Sequence, residues 1–247
     1  MVSQNQGLNA MLFGPPGAGK STVVADAVSS EHARELIIIN FDGDMSSLED
    51  RTDIYVWPGG DENNGVIRDW RHFKAFSDKL VRTKHPFKTI QFDTISSAYD
   101  LAYKQSISTG NPNRDGRSIF GDANDLILEV VREWATISRE RGINVVFICH
   151  AEEKQSGENG PILLRPSVTP GVVKGMYQAV SMIGCLQEKI GPGNHRKLTL
   201  HNTAKVVAKI HQPKTGPQIP LEITDPDIGR IIEHVRKVRP YPQKEKP

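Results

Sequence analysis

The sequence has little that would take it to a membrane or out of the cell. Its longest apolar runs, Leu36–Ile39 and Val145–Cys149, fall far short of the ~20 residues that cross a bilayer. Met1–Ala10 has neither the basic start nor the apolar centre of a secretion signal. Cysteine occurs only twice, as Cys149 and Cys185, each within an apolar run. Two such residues make neither a disulfide framework nor a metal set, and they predict buried thiols in a reducing, cytoplasmic setting. Aromatic residues are scarce at 6%, and the net charge of +2 leaves no strongly basic or acidic body. That near-neutral total conceals an asymmetry: residues 1–184 carry 19 basic and 23 acidic side chains, so the positive balance lies in the last quarter. A basic segment of that kind marks either a surface for a polyanion or a solvated tail.

What is present is enough apolar material, 37% of 247 residues, for one sizeable core. Asn9–Phe13 is a short apolar run that stops at glycine and proline, and Ser21–Ser30 follows with the small and apolar residues of a helix. The pattern recurs. Glu35–Phe41 is a β-branched run, Asp69–Arg82 has helical spacing in Trp70, Phe73, Phe76 and Leu80, and Phe87–Phe92 reads as a strand. Asp122–Arg141 predicts a long amphipathic helix, followed by a buried strand over Val145–Cys149. This alternation predicts an α/β fold with a mainly parallel sheet and helices on both faces. Met182–Lys189, Lys197–His201 and Lys205–His211 read as further, antiparallel strands, with Gly191–Asn194 as a hairpin turn. Lys104–Gly121 and Glu152–Lys174 are polar enough to predict two long functional loops. The expected organisation is one core over residues 1–228, then a terminal helix and a basic tail over 229–247.

The chemistry begins at Gly14-Pro15-Pro16-Gly17-Ala18-Gly19-Lys20-Ser21, which matches G-x-x-x-x-G-K-[ST] between a predicted strand and a predicted helix. Such a loop turns backbone N–H groups toward phosphates, and the helix start, including Thr22, offers its positive end. Lys20 reaches the β and γ oxygens and Ser21 ligates magnesium, so ATP and Mg2+ are the expected cofactors. The strand Lys88–Asp93 places Asp93 at its carboxyl end, where it holds the metal through water. The next residue is Thr94, so no glutamate follows to activate water. The second strand delivers Asp42 and Asp44 to the same edge, where ligands of open α/β sheets bind. Asp44 either orients and deprotonates water or caps a turn. His150 ends the strand after the long helix, as a γ-phosphate sensor or as a satisfied hydrogen-bonding residue. Tyr55 and Trp57 are candidates for the adenine contact.

With these residues in place, the sequence resembles the RecA-like core ATPases over roughly residues 8–220. The resemblance rests on the P-loop, on Asp44, on Asp93-Thr94-Ile95-Ser96-Ser97, on the strand ending in His150 and on Thr169-Pro170-Gly171. Within that group it is most similar to short phage-encoded AAA-domain proteins that act as single-strand annealing recombinases. The resemblance implies a RecA-like P-loop fold, a slow DNA-stimulated ATPase, single-stranded DNA as partner and a bacterial host cytoplasm. It assigns the two polar stretches to DNA, with Arg114, Arg117, Lys154, Arg165 and Lys174 as phosphate contacts. It also implies a homo-oligomer with ATP sites between subunits, where Lys209, or else Lys205, acts in trans on the γ-phosphate, and it leaves room for a single-strand binding protein as a further partner. Two other readings stay open: a small-molecule P-loop kinase, and a nucleotide-switched loader that binds a protein.

Overall fold

The computed structural model describes residues 6–59, 65–109, 115–155, 160, 162–188, 195–212 and 217–237. The chain opens with β1 (Asn9–Gly14), whose six residues are all buried. Helix α1 (Lys20–Ala25) and a 3-10 turn over Asp26–Ser29 lead to β2 (Leu36–Asn40) and β3 (Ile54–Trp57). Next come α2 (Trp70–Arg82), β4 (Thr89–Asp93), α3 (Ile95–Thr109) and α4 (Gly116–Arg141). Strand β5 (Asn144–Gln155) runs on beyond the sheet and pairs with β6 (Ile162–Pro166). The chain then forms α5 (Pro170–Ala179), β7 (Met182–Glu188), β8 (Arg196–Thr199), β9 (Lys209–Ile210), β10 (Glu222–Thr224) and α6 (Ile228–Val235).

Among the described residues the sheet order is β10-β8-β7-β1-β5-β4-β2-β3, with β6 on β5 and β9 on β7. The run from β7 to β3 is parallel, whereas β8, β9 and β10 are antiparallel. This is the expected mixed α/β class. Parallel strands are covered on both faces, and the twofold alternation of side chains divides the interior. Met11, Phe13, Ile37, Ile39, Val145 and Phe147 face a core closed by α2, α3, α4 and α5. Ala10, Leu12, Leu36, Ile38, Val146 and Ile148 face a second core closed by α1 and α6. Buried Asn144 joins the layers at the strand starts: its Oδ1 accepts from the Leu8 N–H, and its Nδ2 donates to the carbonyls of His32 and Lys88.

Several boundaries differ from expectation. Lys104–Gly121 is mostly helix: Lys104–Thr109 completes α3, and α4 starts at Gly116. The cause is local, because the Asp115 carboxylate caps α4 by accepting the Ser118 N–H at 2.8 Å. Glu152–Lys174 is likewise a β-hairpin arm followed by α5, capped by Thr169 with Pro170 at its first position. Residue 114, the Gly191–Asn194 turn and the last ten residues lie outside the described residues. No helix among the described residues is long and apolar enough to cross a membrane.

Candidate active site

Strands β1, β4 and β2 finish at one edge, level with His150 of β5, so that Gly14 pairs with His150 and Asn40 with Asp93. The P-loop is therefore anchored at the carboxyl edge of the sheet, where Gly17 and Gly19 take the left-handed φ of 78° and 77° that its inward turn requires. Lys20 is buried, and its Nζ donates to the carbonyls of Gly14 at 3.1 Å and Pro15 at 2.9 Å. Burial pulls the pKa of this amine down, opposed by the charge of Asp93.

The Ser21 hydroxyl donates to Asp93 Oδ2 at 2.5 Å, and Gln91 Nε2 donates to the same oxygen at 2.8 Å. Burial pushes the Asp93 carboxyl above its ordinary range despite both bonds, so a cation at this spot would restore its charge. One serine oxygen beside one buried carboxylate is the sparse donor set that Mg2+ accepts, keeping waters and taking phosphate oxygens. No cluster of three or more His, Cys, Asp or Glu occurs among the described residues. The residues thus fit a magnesium nucleotide, with Ser21 and Asp93 toward the metal and the Gly14–Thr22 backbone toward phosphate.

Of the two carboxylates after β2, the structure brings Asp42 and not Asp44 to this group. The exposed Asp44 caps a turn, accepting the Ser46 N–H at 3.1 Å and the Ser46 hydroxyl at 2.7 Å, and these bonds lower its pKa. Asp42 is tied down at both ends. Its N–H reaches the Asp93 carbonyl at 3.2 Å, and its Oδ1 accepts from Ser97 Oγ at 2.8 Å and faces His150 Nε2 at 3.4 Å. Hydrogen bonding from His150, then Ser97, holds its carboxyl below the usual range. Asn40 sets the turn between them, because its Oδ1 accepts the Gly43 N–H and its Nδ2 donates to the Gly65 carbonyl.

His150 also belongs to this group: its N–H donates to Ser96 Oγ at 3.1 Å. The neighbouring Cys149 is fully buried, which pushes its thiol up to about 11. Lys209 is elsewhere. It lies on β9, beside the start of β7, and its Nζ donates to the Tyr177 carbonyl and sits 5.6 Å from that ring. Lys205 is exposed in the turn before it. Lys154 and Arg165 share the β5–β6 hairpin, where Glu152 Oε1 accepts from Arg165 Nε at 2.7 Å. Arg117 is exposed on the first turn of α4 and Lys174 is exposed on α5. Trp57 stacks on Phe76 at 3.8 Å, and Tyr55 meets Phe87 edge-on at 5.3 Å. Both rings are thus engaged at the sheet's β3 edge and not at the P-loop.

One functional candidate had no sequence signal. The Arg196 guanidinium lies against Gly19, brought there by strand pairing across the chain. A cavity of about 790 Å3 lies at the other end of the sheet, beside Leu8, Val180, Met182 and Ile231, away from the phosphate-binding loop.

A family model described as an AAA domain matches residues 6–211. Comparison with curated proteins gives no match. Among solved structures, one titled "Crystal structure of the RadB recombinase" is similar, with a TM-score of 0.46 and 15% identity over 81% of this chain and 88% of that one.

Proposed function

The chain belongs to the AAA-domain family, and from that premise we propose a RecA-like, DNA-stimulated ATPase that binds single-stranded DNA and promotes annealing or strand pairing in phage recombination. Mg2+, when bound, neutralises charge on the phosphates. Lys20 and the Gly14–Thr22 backbone hold those phosphates, Ser21 and Asp93 face the metal, and Asp42 takes the role of orienting water and accepting its proton.

A single observation carries this reading. Asp42 touches His150, and His150 is where β5 emerges from the core to become the hairpin bearing Lys154 and Arg165. A contact that changes at the nucleotide thus has a direct covalent route to the arm that carries Lys154 and Arg165. Lys154, Arg165, Arg117 and Lys174 serve as sequence-independent phosphate contacts, with Arg165 exchanging Glu152 for DNA. In an oligomer, Lys209 leaves the Tyr177 carbonyl to reach the ATP of a neighbour.

The test is the ATPase rate with and without single-stranded DNA, alongside DNA affinity over a salt series. Stimulation and a steep fall of log affinity with log salt are expected. A rate indifferent to DNA would remove the DNA part of the reading, and a chain that binds no ATP would remove all of it.

A further inference from the structure

Arg196 opens β8 and pairs with Glu188 at the end of β7. A Cβ built on Gly19 would stand 2.6 Å from its guanidinium carbon and 2.7 Å from Nε and Nη2. The guanidinium therefore rests on the peptide just before Lys20. Among the described residues, the hydrogen bonds of Arg196 outside its strand ladders are made by its backbone, and both go to Asp225. The Arg196 N–H donates to Asp225 Oδ1 at 3.0 Å, and the Asp225 N–H donates to the Arg196 carbonyl at 2.7 Å. Asp225 Oδ2 lies 2.6 Å from His195 Nδ1, which fixes the carboxylate in turn. Asp225 adopts φ 49°, a left-handed conformation uncommon for a residue with a Cβ. Asp225, bonded twice to the Arg196 backbone, thus helps set the position of Arg196, whose guanidinium lies against the loop.

We infer that Arg196 binds the polyphosphate of the nucleotide, in cis, as a second cation beside Lys20. The inference rests on the reading of this chain as a nucleotide-binding protein. The two cations differ in kind. Lys20 is a compact point charge already committed to two carbonyls of its own loop. A guanidinium is a planar fork that meets two phosphate oxygens at once. Asp225 is a positioning residue, since it acts on phosphate only through Arg196.

The experiment is a fluorescence titration of the full chain with ADP and with ATP in magnesium buffer, comparing wild type, Arg196→Gln, Arg196→Lys and Lys20→Ala, each checked by thermal unfolding. Arg196→Gln is expected to weaken ADP binding about tenfold or more, and Arg196→Lys to regain part of that loss. In the unaltered protein, phenylglyoxal should label Arg196 and saturating ADP should block the label, a readout independent of any variant's folding. ADP affinity unchanged in Arg196→Gln, or labelling indifferent to ADP, overturns the assignment while binding that depends on Lys20 leaves the broader reading standing. A wild type that binds neither nucleotide removes both.

Discussion

His150 and Asp42 stand 108 residues apart in the chain and 3.4 Å apart in space, Nε2 to Oδ1. Ser97, on the first turn of α3, donates to the same oxygen, so the turn after β2, the start of α3 and β5 meet at one carboxylate at the P-loop edge of the sheet. Asp42→Asn is expected to lower ATP hydrolysis by roughly 10²–10⁴-fold while nucleotide affinity changes little. Asp44→Asn, which only loosens a turn, is expected to hydrolyse near the wild-type rate. Single-turnover rates on both variants decide it, and the reverse ranking would return the role to Asp44.

His150→Asn tests the route to DNA. The ratio of rates with and without single-stranded DNA is expected to fall toward one, more sharply than the DNA-free rate falls. Equal losses in both rates would mean that His150 serves the nucleotide alone.

Lys20→Ala removes a buried amine whose charge is disfavoured by its surroundings. The apo chain is therefore expected to melt no lower than wild type, while the rise in Tm on adding magnesium ATP disappears. Ligand at 100 times its dissociation constant stabilises a fold by about 2.7 kcal/mol, a shift that calorimetry reads easily. A variant that keeps that shift would take phosphate binding away from Lys20.

The two thiols give a pH dependence. Burial raises Cys149 from 9.0 to about 11 and Cys185 to about 12, so the folded chain keeps protons that the unfolded chain loses near pH 9. Stability is full below that pH and falls as pH rises toward 11, by up to roughly 1.4 kcal/mol per pH unit for each thiol. Urea midpoints from pH 8 to 10.5 measure the slope, which Cys149→Ala should reduce. A flat profile across that range contradicts the burial argument.

Asn144→Ala strips the side chain that holds Leu8, His32 and Lys88 together. The loss is expected to be about 3 kcal/mol, since buried backbone groups are left unpaired. The urea midpoint should fall with an unchanged m-value; a loss below about 0.5 kcal/mol would show that water replaces the amide.

The sequence made the P-loop, Asp93 and the parallel strands legible because each is decided within a few residues: a glycine spacing, or an apolar run buried on both faces. Distant partners decide the rest. The sequence points to Asp44 and not to Asp42 because the turn that separates them depends on Asn40 reaching the Gly65 carbonyl, 25 residues on. The start of α4 is polar and glycine-bearing, yet the Asp115 cap makes it helical. Strand β3 is four half-covered residues at the sheet edge, too few for periodicity to register. Arg196 reaches Gly19 only once β7, β8 and the Asp225 turn are assembled.

Strand β5 has a consequence for motion. Its first six residues are buried and its last three exposed, and it lies between the P-loop strand and the Asp93 strand. Its buried half cannot slide, because a shift of one residue would turn every core side chain to the wrong face. Any displacement of the hairpin must therefore be a rotation with its fulcrum near His150. On the proposed reading, a small change in the Asp42 contact is then lengthened by the five residues of strand beyond it, Ala151–Gln155, so that Gln155 travels farther than His150.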